Sequence, residues 1–312
     1  MSVAVVEAGK RLDNSAWPGP LVSVVIPTFG RAGHLTDAID SVLAQTYKNL
    51  EIVVVDDNPP SSIDRIETKL LLERYSANDS IVYTMHEENK GGAAARNTGV
   101  RMSAGELITF LDDDDTYYKE KLEKQVEHII AEQLDVSLCA ADIVFHDKAS
   151  GGYDCYPHAT CLRDFILFGA AVTPMIMIKR KTFLEANGFA DTPRFQDHVF
   201  MIRVHEVGAN VGILPHKLYT QNIHSGPRVS YSEKSKLGYE IKHEAEARNF
   251  HVLSEREIRR VVFRQQVELL PYTKKERGLS SALVAIAGLL LDVRRPDQLW
   301  TLAKSLIKAF IR

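Results

Sequence analysis

Short apolar runs and amphipathic stretches of helical period alternate along the first third of the chain. Val22-Ser23-Val24-Val25-Ile26, closed by Pro27, predicts a strand, as do Glu51 to Val55, Ile81 to Thr84 and Leu107 to Leu111. The second run is almost wholly apolar, the composition of a strand covered on both faces. Between the first two runs, Leu35, Ala38, Ile39, Val42 and Leu43 share one face of a helix over His34 to Thr46. Ser62 is placed to cap a helix from Ile63 to about Tyr75, and Gly91-Gly92 opens another that runs to Met102. Strand and helix alternate three times and end on a strand, which predicts a parallel sheet with right-handed crossovers. In such a sheet, ligands bind at the carboxyl ends of the strands.

Beyond residue 115 the rhythm changes. Lys119 to Gln133 predicts a charged amphipathic helix, Val136 to Phe145 a strand, Gly151 to His158 a turn or hairpin, Pro174 to Ile178 a strand and Asp197 to Val207 a helix. Past Tyr231 the chain reads as mostly helical and charged. Near the end, Leu299, Leu302, Leu306 and Phe310 share one helical face while Lys304, Lys308 and Arg312 recur on another. Such a helix packs on the preceding domain, packs on a second subunit, or lies in a membrane interface, and the sequence leaves these open. The expected organisation is a loose leader (1–20), a main domain (21–230) and a helical C-terminal extension (231–312).

Composition narrows the function classes. The 312 residues, 45% hydrophobic and 25% charged, are ordinary for a globular protein. A net charge of −3 gives no footprint for a nucleic-acid partner. Three cysteines without metal-like spacing fit a reducing compartment. The leader lacks the basic start and apolar core of a signal peptide, and no apolar run approaches the length of a bilayer span. The expected location is the cytoplasm, with contact at the inner face of the plasma membrane left open by the terminal helix.

The chemistry concentrates at strand ends. Asp112-Asp113-Asp114-Asp115 directly follows Leu107 to Leu111, and Asp56-Asp57 ends the second strand. Adjacent carboxylates repel, and more strongly where water is excluded. A divalent cation with hard oxygen ligands relieves that repulsion and can grip a diphosphate. The plainer reading of Asp56 and Asp57 is that they cap their own turn. The plainer reading of Asp197 is a helix N-cap. Arg96 falls in the first turns of a helix that begins at the ligand edge, where an anion-facing role is expected.

Ordered blocks here resemble a known family. Leu21 to Phe29, Ser41 to Tyr47, Glu51 to Asp57, Ala95-Arg96-Asn97-Thr98-Gly99, Ala104-Gly105-Glu106 and Phe110 to Asp115 together resemble the inverting family 2 glycosyltransferases. The resemblance is close from Leu21 to about Tyr117 and looser to about Ser230. It implies a GT-A fold: a Rossmann-like, mostly parallel α/β sheet flanked by helices, with a nucleotide-binding half (21–117) and an acceptor half (118–230). It implies transfer of a sugar from a nucleotide-diphosphate sugar, UDP- or dTDP-linked, to a saccharide or lipid-linked hydroxyl acceptor in cell-surface polysaccharide or glycolipid synthesis. Pro27, Thr28, Asp56, Asp57, Arg96, Asp112, Asp113 and Arg228 would bind the nucleotide sugar. Asp112, Asp114 and His224 would hold Mn2+ or Mg2+, and Asp197 would be the catalytic base.

Two departures stand out. Gly30 occupies a position where the family often has Asn, and Gln196 one where it often has Glu. Two rival readings also remain. Phe110 to Thr116 satisfies the nucleophile motif of haloacid-dehalogenase phosphatases, with Asp112 as nucleophile and Asp114 as acid/base. An inactive scaffold of the same fold is the other.

Overall fold

Val22, Val24 and Ile26 face one side of their strand and Val25 the other, and the same alternation runs through the neighbouring strand. The sheet is therefore apolar on both faces and needs a helical layer on each. The computed structural model describes residues 19–146, 151–223, 233–292 and Leu302. His224, Arg228, most of the loose leader and, apart from Leu302, the basic C-terminal helix lie outside the described residues.

Four strands form the predicted parallel half: β1 (Val22–Thr28), β2 (Leu50–Asp56), β3 (Ile81–Met85) and β4 (Leu107–Phe110), in spatial order β3-β2-β1-β4. They are connected by α1 (Ala32–Leu43), α2 (Ile63–Glu73) and α3 (Gly91–Met102). Ser62 caps α2 as expected, its side chain accepting from the Arg65 amide. Gly99 lets α3 lie hard against β1, because a Cβ there would stand 2.2 Å from Val25 Cγ1.

The second half departs from a parallel sheet. β5 is the short pair Thr116–Tyr117, followed by α4 (Lys121–Ala131) and the long β6 (Val136–Phe145). β7 (Gly152–Cys155) forms a hairpin with β6, and α5 is Leu162–Phe168. β8 (Ile176–Lys179) is antiparallel to both β4 and β6, and it opens only after a 3-10 turn at Thr173–Met175. Then come α6 (Arg180–Glu185), α7 (Gln196–Glu206) and β9 (Val211–Ile223). β9 runs parallel to β6 and antiparallel to β5. β9 has no clear signature in the sequence because Pro215 interrupts it. The register jumps there from Cys139↔Leu214 to Ala140↔Lys217, a bulge that removes the proline from the ladder.

α1, α2 and α4 cover one face, and α3, α5, α6 and α7 the other. Two further helices, α8 (Glu233–Ala247) and α9 (Glu255–Asp292), follow. α8 packs on α7 through Ala245, and Leu253 and Val261 pack on α5. Among the described residues, no helix is long and apolar enough to cross a membrane.

One buried cation stands out in the core. Lys121 is fully buried, its ammonium 4.3 Å from the centre of the Tyr117 ring and hydrogen-bonded to Gln125. Burial lowers its pKa from 10.5 to about 8. The unfolded chain therefore binds more protons than the folded one between those values. Stability should rise with pH across that window, by about 3 kcal/mol in all, and be lost as pH falls through 8. Urea denaturation at pH 7.5 and 9.5 should show the rise in the native protein and its absence in Lys121→Met, which removes the titrating group.

Candidate functional site

The sheet order reverses between β1 and β4, and the site forms at the carboxyl ends of β2, β1 and β4 around that reversal. β1 ends in Pro27, half-buried, and Thr28, buried. Gly30 follows with φ 69, and its amide donates to Asn58 Oδ1 at 2.7 Å. Asn and Gly are the residues that best tolerate that backbone, so the departure at position 30 keeps the turn.

Past β4 the acidic run folds into a turn, the Asp115 amide donating to the Asp112 carbonyl at 3.0 Å, and its residues alternate between more and less buried positions. The side chains of Asp112 and Asp114 are 26% and 15% exposed, whereas that of Asp113 is 1% exposed and Asp115 is buried. Asp113 is tied down: Thr28 Oγ1 donates to its Oδ2 at 2.8 Å and the Phe29 amide at 3.3 Å. Burial pushes its carboxyl up to about 7 against the opposing pull of Arg31. Asp115 accepts from the Asn222 amide at 2.9 Å, and burial, with Asp112 nearby, pushes it up to about 9. Asn222 Nδ2 also donates to the Asp114 carbonyl at 2.7 Å, so β9 clamps the run from the far side.

Cations meet the outward carboxylates. Arg31, in the loop after β1, bonds Asp114 and lies 3.1 Å from Asp113 Oδ1. Arg96, on α3, bonds Asp112, while its Nη1 donates to Gln196 Oε1 at 3.0 Å. Gln196 is the first residue of α7 and Asp197 the second. Arg96 thus links the acidic run to the segment that carries the expected base. Asp197 is half-buried in the first turn, where helix polarity favours a carboxylate. Its Oδ1 accepts from the His198 amide at 2.8 Å, and burial raises its pKa. The N-cap itself is Phe195, so the capping role expected of Asp197 is corrected: the helix starts one residue earlier.

Three other residues expected to bind the nucleotide sugar, Asp56, Asp113 and Thr28, lie below the surface. Asp56 is fully buried, with Oδ1 accepting from the amide and side chain of Asn58, and Oδ2 from Tyr83 at 2.7 Å beside Arg65 at 3.0 Å. Asp113 and Thr28 bond each other below the surface. These contacts hold strand ends together, and Asp113 Oδ1 is left buried beside Arg31 with no hydrogen-bond partner among the described residues. Asp57 directly follows β2 and is also buried. Its carboxylate accepts from His86 Nδ1 at 2.7 Å and from the amides of Lys90 and Gly91 at 2.8 and 2.7 Å, capping α3 across space.

The acidic run fits a divalent cation. Asp115 Oδ2 is buried with no hydrogen-bond partner among the described residues, and four carboxylates share one strand end. Among those residues no three ligand groups form a closed cage. A Mg2+-like ion at a diphosphate needs only one or two carboxylates, the remaining ligands coming from phosphate and water. Asp112 and Asp114 supply that pair. Arg31, His86 and Asn222 went unnoticed in the sequence. His86 directly follows β3 and could have been found from its strand-end position, whereas Arg31 and Asn222 carry no local signal.

This geometry separates two carboxylates. Asp57→Ala strips three donors of their acceptor in a buried place, so it should lower stability by about 2 kcal/mol or more. Asp114→Asn, half-exposed, should leave stability within about 0.5 kcal/mol of the native protein. Urea melts of the two variants check both outcomes.

Comparisons with known proteins bear on this arrangement. The sequence matches Glycosyl transferase family 2 over residues 23–183, just over half of the chain. Glycosyltransferase GlyG of Streptococcus pneumoniae is 26% identical over 224 residues, covering 66% of this chain and 72% of GlyG. The fold is similar to that of S. aureus TarS in complex with UDP-GlcNAc, at TM-score 0.64 and 18% identity over 92% of this chain and 88% of that one. It is also similar to mannosyltransferase PcManGT from Pyrobaculum calidifontis in complex with GDP-Man and Mn2+, at TM-score 0.57 and 17% identity over 94% and 87%. The expected GT-A architecture is therefore present, and neither the phosphatase nor the inactive-scaffold alternative finds support. The chain is a glycosyltransferase that belongs to Glycosyl transferase family 2.

Proposed function

We propose that the enzyme moves a sugar from a UDP- or dTDP-linked donor to a hydroxyl of a saccharide or lipid-linked acceptor, inverting the anomeric configuration. The observation that carries this is Arg96, which touches both Asp112 at the acidic run and Gln196 beside Asp197. It joins the place for a leaving diphosphate to the place for a base.

Pro27 and Asp57, at the ends of β1 and β2, border the nucleotide. Arg96 faces the diphosphate. Asp112 and Asp114 would hold Mn2+ or Mg2+, which when bound neutralises charge on the departing nucleotide. His224 and Arg228 follow within a few residues of Asn222, the clamp on the run, and are assigned to the same diphosphate. Asp197 accepts the acceptor's hydroxyl proton as that oxygen attacks the anomeric carbon from the face opposite the leaving group. Burial raises its pKa, which makes it a stronger base than an exposed aspartate. Residues 21–117 serve the donor and 118–230 the acceptor. Cys139, Cys155 and Cys161 are all free thiols, which supports a cytoplasmic setting. The role in cell-surface polysaccharide or glycolipid assembly rests on the family resemblance.

A screen of nucleotide sugars with Mn2+ or Mg2+, read as nucleotide release, should give turnover with one donor and none after chelation. Asp114→Asn should abolish it, and near-native turnover at saturating Mn2+ would sink the metal assignment. Asp197→Asn should slow transfer by roughly 10²-fold or more while donor affinity stays put. Full activity of that variant would remove Asp197 from the chemistry.

A further inference from the structure

The C-terminal helices lie outside the region matched to the family, yet they reach the segment that carries Asp197. Glu246 of α8 is fully buried, and its Oε1 lies 3.0 Å from His198 Nε2. Burial alone would push the Glu246 carboxyl up, but His198, Lys242 and Arg264 together hold it well below the usual range. Gln265 of α9 donates to its other oxygen at 2.8 Å. A buried ionised carboxylate costs desolvation, and here its partners come from three helices, α7, α8 and α9.

A second contact acts on the other side of Asp197. Phe195, the N-cap of α7, has φ 60 and ψ 31, a left-handed conformation that a bulky side chain rarely holds unaided. Its ring packs edge-on against Tyr239 of α8 at 4.7 Å. Arg194 beside it lies over both rings and donates to Ser235 Oγ at 2.8 Å. Residues 195 and 198 are both gripped by the extension, and Gln196, which meets Arg96, and Asp197 lie between them. His198 also stacks on Phe165, so the ring has no freedom to swing away.

We propose that the C-terminal extension is a working part of the active site: Glu246 through His198, and Tyr239 through Phe195, set the position of Asp197. His198 and Glu246 are positioning residues, and the proposal rests on the reading of Asp197 as base. A misplacement of this kind lowers the chemical step without touching the nucleotide contacts.

The test uses the full chain, the donor that turns over fastest in the screen, and amide hydrogen exchange of the segment 192–200. His198→Ala should lower kcat about tenfold, leave donor KM within about twofold, and speed exchange in that segment. His198→Gln keeps an N–H for Glu246 and should recover most of kcat. If His198→Ala does not fold, Phe195→Gly serves instead. Glycine accepts the left-handed backbone, so this variant should fold, yet it should show the same split between kcat and KM because the grip of Tyr239 is gone. Native kcat in His198→Ala, or in Phe195→Gly where that variant stands in for it, or equal loss in His198→Ala and His198→Gln, overturns the proposal. Asp197→Asn measured alongside keeps the two ideas apart. Full activity there defeats the base assignment, whereas an inactive Asp197→Asn beside a fully active His198→Ala defeats the positioning.

Discussion

Repulsion among four neighbouring carboxylates is the constraint on which the rest of the site depends. The fold answers it by alternation. Asp113 and Asp115 turn inward, where burial drives them toward the protonated form, and Asp112 and Asp114 turn outward to cations. The run turns back on itself, the Asp115 amide bonded to the Asp112 carbonyl, and it is pinned on both sides. β1 holds it through Thr28 and β9 through Asn222. In the proposed function, that outward pair is the anchor for a metal-bound diphosphate. It also explains why two arginines approach from different elements: each outward charge needs a partner when no metal is bound.

The parallel half was legible because its signals are local. Four apolar runs, three helical periodicities and the Ser62 cap each declare themselves within a dozen residues. The second half was not, because its organisation comes from long-range pairing. β9 hides behind Pro215 and is rescued by a bulge opposite β6, and β5 is only two residues long. Some of the motif blocks also prove to be architecture. Asn97 pairs with both the amide and carbonyl of Phe189, and Gly99 admits the close approach of α3 to β1. Those residues position Arg96 and the turn before α7.

The site residues divide in the same way. Sequence placed the acidic clusters at strand ends, and the sheet order sets those ends on either side of β1. It could not tell which carboxylates face the cleft, because a run of identical residues carries no label for side. Asp56 shows the consequence. It is as acidic as Asp57 and one residue away, yet it is wholly used by Asn58, Tyr83 and Arg65. Arg31 escaped notice for the complementary reason: a lone arginine in a loop gains meaning only when the fold brings it across 83 positions to Asp114.

The central claim is that Asp112 and Asp114 present a metal-bound diphosphate to the rest of the site. Calorimetric titration of UDP, with and without Mn2+, on the native protein and on Asp112→Asn tests it most directly. The account predicts that Mn2+ tightens UDP binding by about tenfold or more in the native protein, a gain of about 1.4 kcal/mol, and that Asp112→Asn loses most of that gain. Equal UDP affinity with and without Mn2+ in the native protein would contradict it.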